Sequence, residues 1–386
     1  MSELNASNLR KEQGNEGPDL VGITELTSPH YMVPPSGTTA ERPQNPQAGT
    51  LRFNTDIGSL EYFRGNTLGW ETINKVTPNL GGGGGSSSSN AGLGTRGFNL
   101  GGYHPAYTDT IEYITITTLG NSSDFGNLSN TRHLLSAGSN KTRALASAGS
   151  GPSHGNIIDY ITVSSEGNAT DFGDTLVPRY GHGAVNNQTR MVHMAGYWPG
   201  GSRNDMDYNT ISSTGISVDF GNAVQPAYAP SDCNSSTRGI LVGGNHPTPG
   251  TNHINVLQYI TMSTLGDSLD FGDTSVVQYY SHGGVSSATR GVVGGSYRPS
   301  MTDAIDYITM TTLGNSVDFG DLTVSRFSLT ATSSTTRGVF MGGKTPSVQN
   351  TIDYITISTT GNALDFGDKQ TTTSYGAATS NGHGGL

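Results

Sequence analysis

The side chains in this chain with most capacity for chemistry are aromatic rings and histidines set beside prolines. They occur as Tyr103-His104-Pro105-Ala106-Tyr107, Ser153-His154, Tyr197-Trp198-Pro199, Asn245-His246-Pro247 and Tyr297-Arg298-Pro299. Flat rings on proline-stiffened segments can stack on sugar faces or anchor a protein partner at small entropic cost. The bland alternative is that such rings only cover the ends of strands. Tyr103, His104, Tyr197, Trp198, His246, Tyr297 and Arg298 are therefore the candidate ligand-binding residues.

Signals for catalysis are weaker. Hydrolysis of a sugar would need two carboxylates facing each other across a pocket. Asp109, Asp205 and Asp303 instead recur a few residues before a tyrosine, as a repeated structural device does. No GxSxG or HExxH motif stands out: the string that matches GxSxG, Gly151-Pro152-Ser153-His154-Gly155, falls in a proline-bearing loop and not at the strand-to-helix turn a nucleophile elbow needs. His182 and His282 occupy equivalent places with no third ligand, so hydrogen-bonded histidines are expected there. Asp171-Phe-Gly-Asp174 offers oxygen ligands without EF-hand spacing. The single Cys233 supplies neither an intrachain disulfide nor a CxxC pair. The reading is a binding protein, not an enzyme, with no metal and no cofactor. A sugar-cleaving enzyme on the same scaffold is the rival.

The elements that position these residues repeat. Asp-Phe-Gly begins at Asp124, Asp171, Asp219, Asp270, Asp318 and Asp365, with Phe125, Phe172, Phe220, Phe271, Phe319 and Phe366 following; the steps are 47, 48, 51, 48 and 47 residues. A Thr-Arg pair recurs with Arg96, Arg143, Arg190, Arg238, Arg290 and Arg337. A tyrosine (Tyr113, Tyr160, Tyr208, Tyr259, Tyr307, Tyr354) stands 11 residues before each Asp-Phe-Gly. Such a period indicates propellers or solenoids. Each unit reads as four short strands; in the last they are Arg326-Phe-Ser-Leu-Thr-Ala, Thr336-Arg-Gly-Val-Phe-Met-Gly-Gly, Ile352-Asp-Tyr-Ile-Thr-Ile-Ser and Ala363-Leu-Asp-Phe-Gly. Six such units predict an all-β fold, a six-bladed β-propeller. The chain enters at a second strand near Arg96 and leaves through Ser374-Tyr-Gly-Ala-Ala-Thr, which reads as the missing first strand and would leave no open edge.

Without a Gly-rich phosphate loop or an HRD segment, six Asp-Phe-Gly copies carry no nucleotide role. Phe is expected to fill space between blades, Gly to take the turn, and Asp to bond backbone N–H groups. The repeated arginines are expected to pair with aspartates in or beside the next blade, for example Arg143 with Asp124 or Asp159. Arg179-Tyr-Gly-His-Gly-Ala and the glycine pairs at 101–102, 243–244, 294–295 and 342–343 resemble kelch-type repeats. The usual fourth-strand Trp of that family is missing, and the Asp-Phe-Gly phenylalanine occupies roughly its place. This resemblance speaks to fold, not activity. All length variation falls between the second and third strands, in loops that each hold a proline, so the candidate residues should share one face.

Composition agrees with a turn-rich β-protein: 55 glycines, 32% hydrophobic and 13% charged residues disfavour long helices. A net charge of −10 disfavours nucleic-acid binding. No apolar run long enough to span a membrane or head a secretory signal is seen, so no membrane insertion is expected.

Ahead of the repeats, residues 1–36 read as an extended anchoring arm, 37–78 as a small β-meander and 79–94 as a Gly/Ser linker, with the propeller over 95–386. The string Gly37-Thr-Thr-Ala-Glu-Arg-Pro43, Gly49-Thr-Leu-Arg-Phe-Asn-Thr-Asp56, Ser59-Leu-Glu-Tyr-Phe-Arg-Gly65 and Gly69-Trp-Glu-Thr-Ile73 resembles a segment of tail fibres and other structural proteins of tailed bacteriophages, including phages of marine cyanobacteria. The resemblance implies a virion component assembled in the host cytoplasm, usually a homo-oligomer and often a trimer. Its residues 1–78 would meet other virion proteins, and its propeller would meet a host-surface glycan or protein. A purely structural capsid, neck or tail decoration is the alternative. No fibre shaft or coiled-coil heptad accompanies the string.

Overall fold

The computed structural model describes residues 34–57, 59–67, 69–72, 95–152, 155–198, 201–245, 254–275, 283–297 and 300–386. The chain divides into two compact units, Met1–Thr77 and Pro78–Leu386. No α-helix occurs among the described residues.

The first unit holds one small sheet. Leu51–Asn54, Ser59–Phe63 and Trp70–Thr72 run antiparallel, as the alternating sequence and its Gly-containing turns dictate. A fourth strand, Ser36–Gly37, pairs parallel with Phe53 and Asn54. The three-strand meander is thus extended by residues at the end of the expected arm; a two-residue strand has no alternation by which to announce itself. Glu61 is fully buried between Arg42 and Arg52, and both guanidinium groups lie within 6 Å of the Trp70 ring centre. These cations hold the Glu61 carboxyl below its ordinary range.

The second unit is propeller-like: among the described residues it holds six four-stranded sheets. The second sheet is Ser136–Ser139, Arg143–Ser147, Ile157–Thr162 and Thr170–Asp174; the third is Gly183–Asn186, Arg190–Met194, Asp205–Thr210 and Val218–Asn222. Fourth to sixth follow the same order, beginning at Ser231–Asn234, Gly284–Ser286 and Thr330–Ser333. The first sheet is composite. The C-terminal strand Ala377–Ser380 pairs antiparallel with Arg96–Tyr103, ahead of Tyr107–Thr115 and Ser123–Asn127. The strands named first in each sheet are shorter than the sequence reads. Arg326 and its neighbours precede theirs and are held by other bonds.

The core lies between the sheets, in six hydrophobic clusters, each with one Asp-Phe-Gly phenylalanine. The last joins Val339, Met341, Ile352 and Phe366 of the sixth sheet to Ile114 and Ile116 beside the first. Hydrogen bonds repeat this neighbour order. Each Asp-Phe-Gly carbonyl of Phe accepts from a turn glycine beside the next sheet, at 2.8–2.9 Å, and the Phe366 carbonyl accepts from Gly120. The inner strands are linked in a circle. Ser139 Oγ donates to Ser380 O, Ser380 Oγ to Ser333 O, Ser333 Oγ to Ser286 O, Asn234 N to Ser286 Oγ, Asn186 N to Asn234 Oδ1, and Asn186 Nδ2 to Ser139 O.

Gly367 shows why these positions exclude larger residues. At φ +146° a Cβ would lie 2.6 Å from the Gly120 carbonyl oxygen. Gly367→Ala is expected to cost about 2–4 kcal/mol, from backbone strain plus displacement of the Gly120 carbonyl. Urea unfolding of the full chain checks this; a cost below about 1 kcal/mol would mean that the two sheets are not packed this closely.

The repeated arginines do not pair with the expected aspartates. Arg143 lies 4.6 Å over the Tyr160 ring and donates to the Ile211 carbonyl of the next sheet. All six repeat this, 4.6–5.0 Å over a tyrosine and 2.8–3.4 Å from a carbonyl, and Arg337 returns to Ile116. A ring face and a carbonyl satisfy a half-buried guanidinium without burying a second charge; Arg96, which is buried, also lies 3.5 Å from the exposed Glu166 carboxylate. The Asp-Phe-Gly aspartates are exposed on the outermost strands; Asp270 accepts from Gly272 N at 3.3 Å.

Candidate ligand-binding site

The site begins with the residue eight places after each Asp-Phe-Gly aspartate. Arg132, Arg179 and Arg326 stand there, essentially buried, and pair with the buried carboxylates Asp159, Asp207 and Asp353 at 2.9, 2.6 and 3.0 Å. Burial pulls the Arg179 pKa down, against the charge of Asp207. Two sheets without the arginine change the acid as well, whereas the fifth keeps Asp306, which accepts from Ser275 Oγ and Ser316 Oγ, although Gln278 stands at the arginine position in the sequence. Ala227 of the fourth sheet coincides with Gln258 in place of the acid, and Gln258 bonds Gln225 and Ser268. In the first sheet Thr373 replaces the arginine, while Lys369 sits beside Glu112 and donates to Thr373 Oγ1. Burial pushes that ammonium down to about 8.

The next residue carries the chemistry. His133, Tyr180, Tyr228 and Phe327 follow the anchored position, and each is bridged to the strand end opposite, at Ser150, Tyr197, Asn245 and Lys344. The backbone then turns left-handed at Leu134, Gly181, Ala229, Ser328 and Tyr375, with φ between 52° and 58°. Tyr375 accepts this strained conformation with a full aromatic side chain, which costs about 1 kcal/mol or more.

The rings meet at one face. Tyr107 stacks on His133 at 4.8 Å, Tyr103 lies 5.9 Å from His133, and Tyr375 meets both His133 and Phe327 edge-on. Tyr297 lies 4.8 Å from Phe327. Tyr180, Tyr197 and Tyr228 form a second group with centres 5.4–5.9 Å apart. Between the groups is a cavity of about 350 Å³ lined by Tyr103, Tyr107, His133, Leu134, Tyr228 and Tyr375. Burial, with the Tyr197 phenol nearby, raises the Tyr180 pKa above the ordinary phenol value, so its hydroxyl stays a donor at neutral pH.

Of the residues selected from sequence, Tyr103 lines this cavity, Tyr197 packs on the lining ring of Tyr228, and Tyr297 packs on Phe327, which in turn meets the lining ring of Tyr375. His104 turns its Nδ1 to Thr372 Oγ1 at 3.1 Å. Trp198 lies on the short hairpin Tyr197–Trp198 with Gly201–Ser202. His246 and Arg298 lie outside the described residues, as do His154, His282, the arm over 1–33 and the linker. His182 is buried, with Nε2 3.0 Å from Ser147 Oγ. Sequence reading missed His133, Tyr228 and Tyr375. Their signal was the aromatic residue repeatedly placed nine or ten positions after Asp-Phe-Gly.

No protein-family model and no curated protein matches this chain. Among solved structures it is similar to one titled "Structure of YjhT", with a TM-score of 0.55 and 11% identity, over 65% of this chain and 89% of that one. At that identity the likeness shows the fold alone: an all-β, propeller-like architecture.

Proposed function

We propose that residues 95–386 form a closed, six-bladed, kelch-like propeller whose aromatic cavity binds carbohydrate on a host-cell surface. The chain would belong to the virion of a tailed phage, as a tail fibre or other appendage. The circle of inner-strand hydrogen bonds and the pairing of Ala377–Ser380 with Arg96–Tyr103 support ring closure. Placement in a virion rests on the GTTAERP…GTLRFNTD…LEYF…GW string, and residues 1–78 are the attachment region, assembled with copies of themselves or with other virion proteins.

The observation that carries the binding function is the cavity itself. Four tyrosines and a histidine converge on a volume suited to a single sugar ring. Aromatic faces match the apolar face of a pyranose, and phenol hydroxyls at the rim match its hydroxyls. Binding is the reading in preference to cleavage, because the described lining supplies stacking surfaces and hydroxyls rather than an opposed pair of carboxylates.

The test is a glycan array probed with the full chain, followed by incubation with host polysaccharide. Selective, saturable binding with no released oligosaccharide is expected. Release of oligosaccharide would replace the binding function by an enzymatic one, and silence across the array together with capture of a virion protein would replace it by a decoration role.

A further inference from the structure

The inner strands enclose a second, smaller space. A chamber of about 40 Å³ lies among them, with room for roughly three water-sized spheres. Its lining includes Asp232, Asn234, Ser286, Ser333, Thr379 and His383. The last comes from the C-terminal segment, where His383 bonds Asn186 Nδ2 at 2.8 Å and the Ser139 carbonyl at 3.2 Å, and Gly384 N donates to Ser286 O.

Asp232 breaks the internal repeat. At the same register position the five sister strands carry Ala137, Ala184, Gly284, Ala331 and Ala378. A carboxylate therefore stands where every equivalent strand has no more than a methyl group. One oxygen accepts from Ala184 N at 3.2 Å, and the Asn234 side chain also bonds it. No lysine or arginine lines the chamber among the described residues. His383 is neutral at pH 7, since burial pushes it down to about 4. Asp232 is half-buried, so its carboxylate costs less than a fully buried ion would, yet the described lining offers it no opposite charge.

We propose that this chamber is a binding site for one hard monovalent cation of the sodium or potassium class, held by the Asp232 carboxylate and neutral oxygens of the inner strands. The charge count selects the valence: one carboxylate balances a single positive charge, whereas calcium sites gather several. Among the described residues no group of three His, Cys, Asp or Glu side chains could hold a transition metal. Hydroxyl, amide and carbonyl oxygens suit a hard ion. Bound there, the ion would tie the fourth sheet's inner strand to its neighbours.

The experiment compares melting of the full chain in choline, sodium and potassium chloride at equal ionic strength, for the native protein, Asp232→Asn and Asp232→Ala. The native chain should melt about 2–4 °C higher in sodium or potassium than in choline, the shift given by roughly tenfold saturation of one site. Both variants should lose that difference. The alanine variant, which restores the residue of the sister strands, serves if the asparagine variant folds poorly. Crystals of the native protein soaked in thallium(I) should place an anomalous peak in the chamber. Equal melting of the native chain in all three salts, a salt effect that survives in both variants, or thallium sites only elsewhere would each overturn the proposal.

Discussion

Tyr228→Ala combined with Tyr375→Ala should abolish measurable carbohydrate binding by the full chain. Both rings line the cavity, although 147 positions separate them in sequence. Truncating an aromatic hot spot typically costs 2 kcal/mol or more, so the pair should weaken binding by about 4 kcal/mol, close to a thousandfold. Tyr228→Phe keeps the ring and loses only the hydroxyl, and should stay within about tenfold of the native chain. Trp198→Ala, on the neighbouring hairpin, should matter less than either cavity tyrosine. Isothermal titration with the best array ligand compares these three variants with the native chain, with melting curves to show that each variant remains folded. A double variant that binds as the native chain does would move the site away from this cavity.

The second large effect is on stability. Arg179→Ala should destabilise the chain by about 3–5 kcal/mol, because Asp207, 1% exposed, would keep a charge with no cation beside it. The fourth sheet shows the remedy. There Ala227 coexists with Gln258, whose carboxamide accepts from Gln225 N and from Ser268 Oγ, as Asp207 accepts from Leu176 N and from Ser217 Oγ. Adding Asp207→Gln to Arg179→Ala should therefore recover more than half of the loss. The remainder is the space vacated by a fully buried arginine side chain. Urea unfolding of the two variants decides the matter; a double variant as unstable as the single one would make lost volume, not charge, the dominant cost. Since Tyr180 follows Arg179 directly, the same single change should also loosen the aromatic face.

Much of the fold can be read without coordinates, because its signals are local. The Ile352–Ile357 stretch carries β-branched residues on both sides, and Gly361 marks the turn after it; the Asp-Phe-Gly glycine, read from sequence as a turn residue, sits instead inside the fourth strand at a register shift, where Gly367 has φ +146°. A phenylalanine recurring at fixed distance from a tyrosine predicts one hydrophobic contact per unit, and each pair lies edge-on at 5.8–6.1 Å. The arginine partners were not legible in the same way. Arg143 and Asp159 share a sheet and look complementary on paper. Yet Arg143 lies at the end of its strand beside the Tyr160 ring, while Arg132, from the segment before the sheet, reaches Asp159. Spacing along the chain says which residues recur, not which of two equivalent arginines enters the interior.

The aromatic face divides along the same line. Proline-bearing loops with aromatic residues marked Tyr103, Tyr197 and Tyr297 from sequence, since loop composition is a local property. His133, Tyr228 and Tyr375 gained their place only because short bridges and left-handed turns bring segments from several repeats to a common centre. Sequence by itself determined the repeat, its four strands and the residues available to each sheet, for those follow from alternation and turn chemistry over a few residues. Tertiary structure alone decided which charges are buried together, which rings share a cavity and where Asp232 stands. Those relations depend on distances between sheets, which are set by packing of one sheet on the next and leave no periodic trace in the chain.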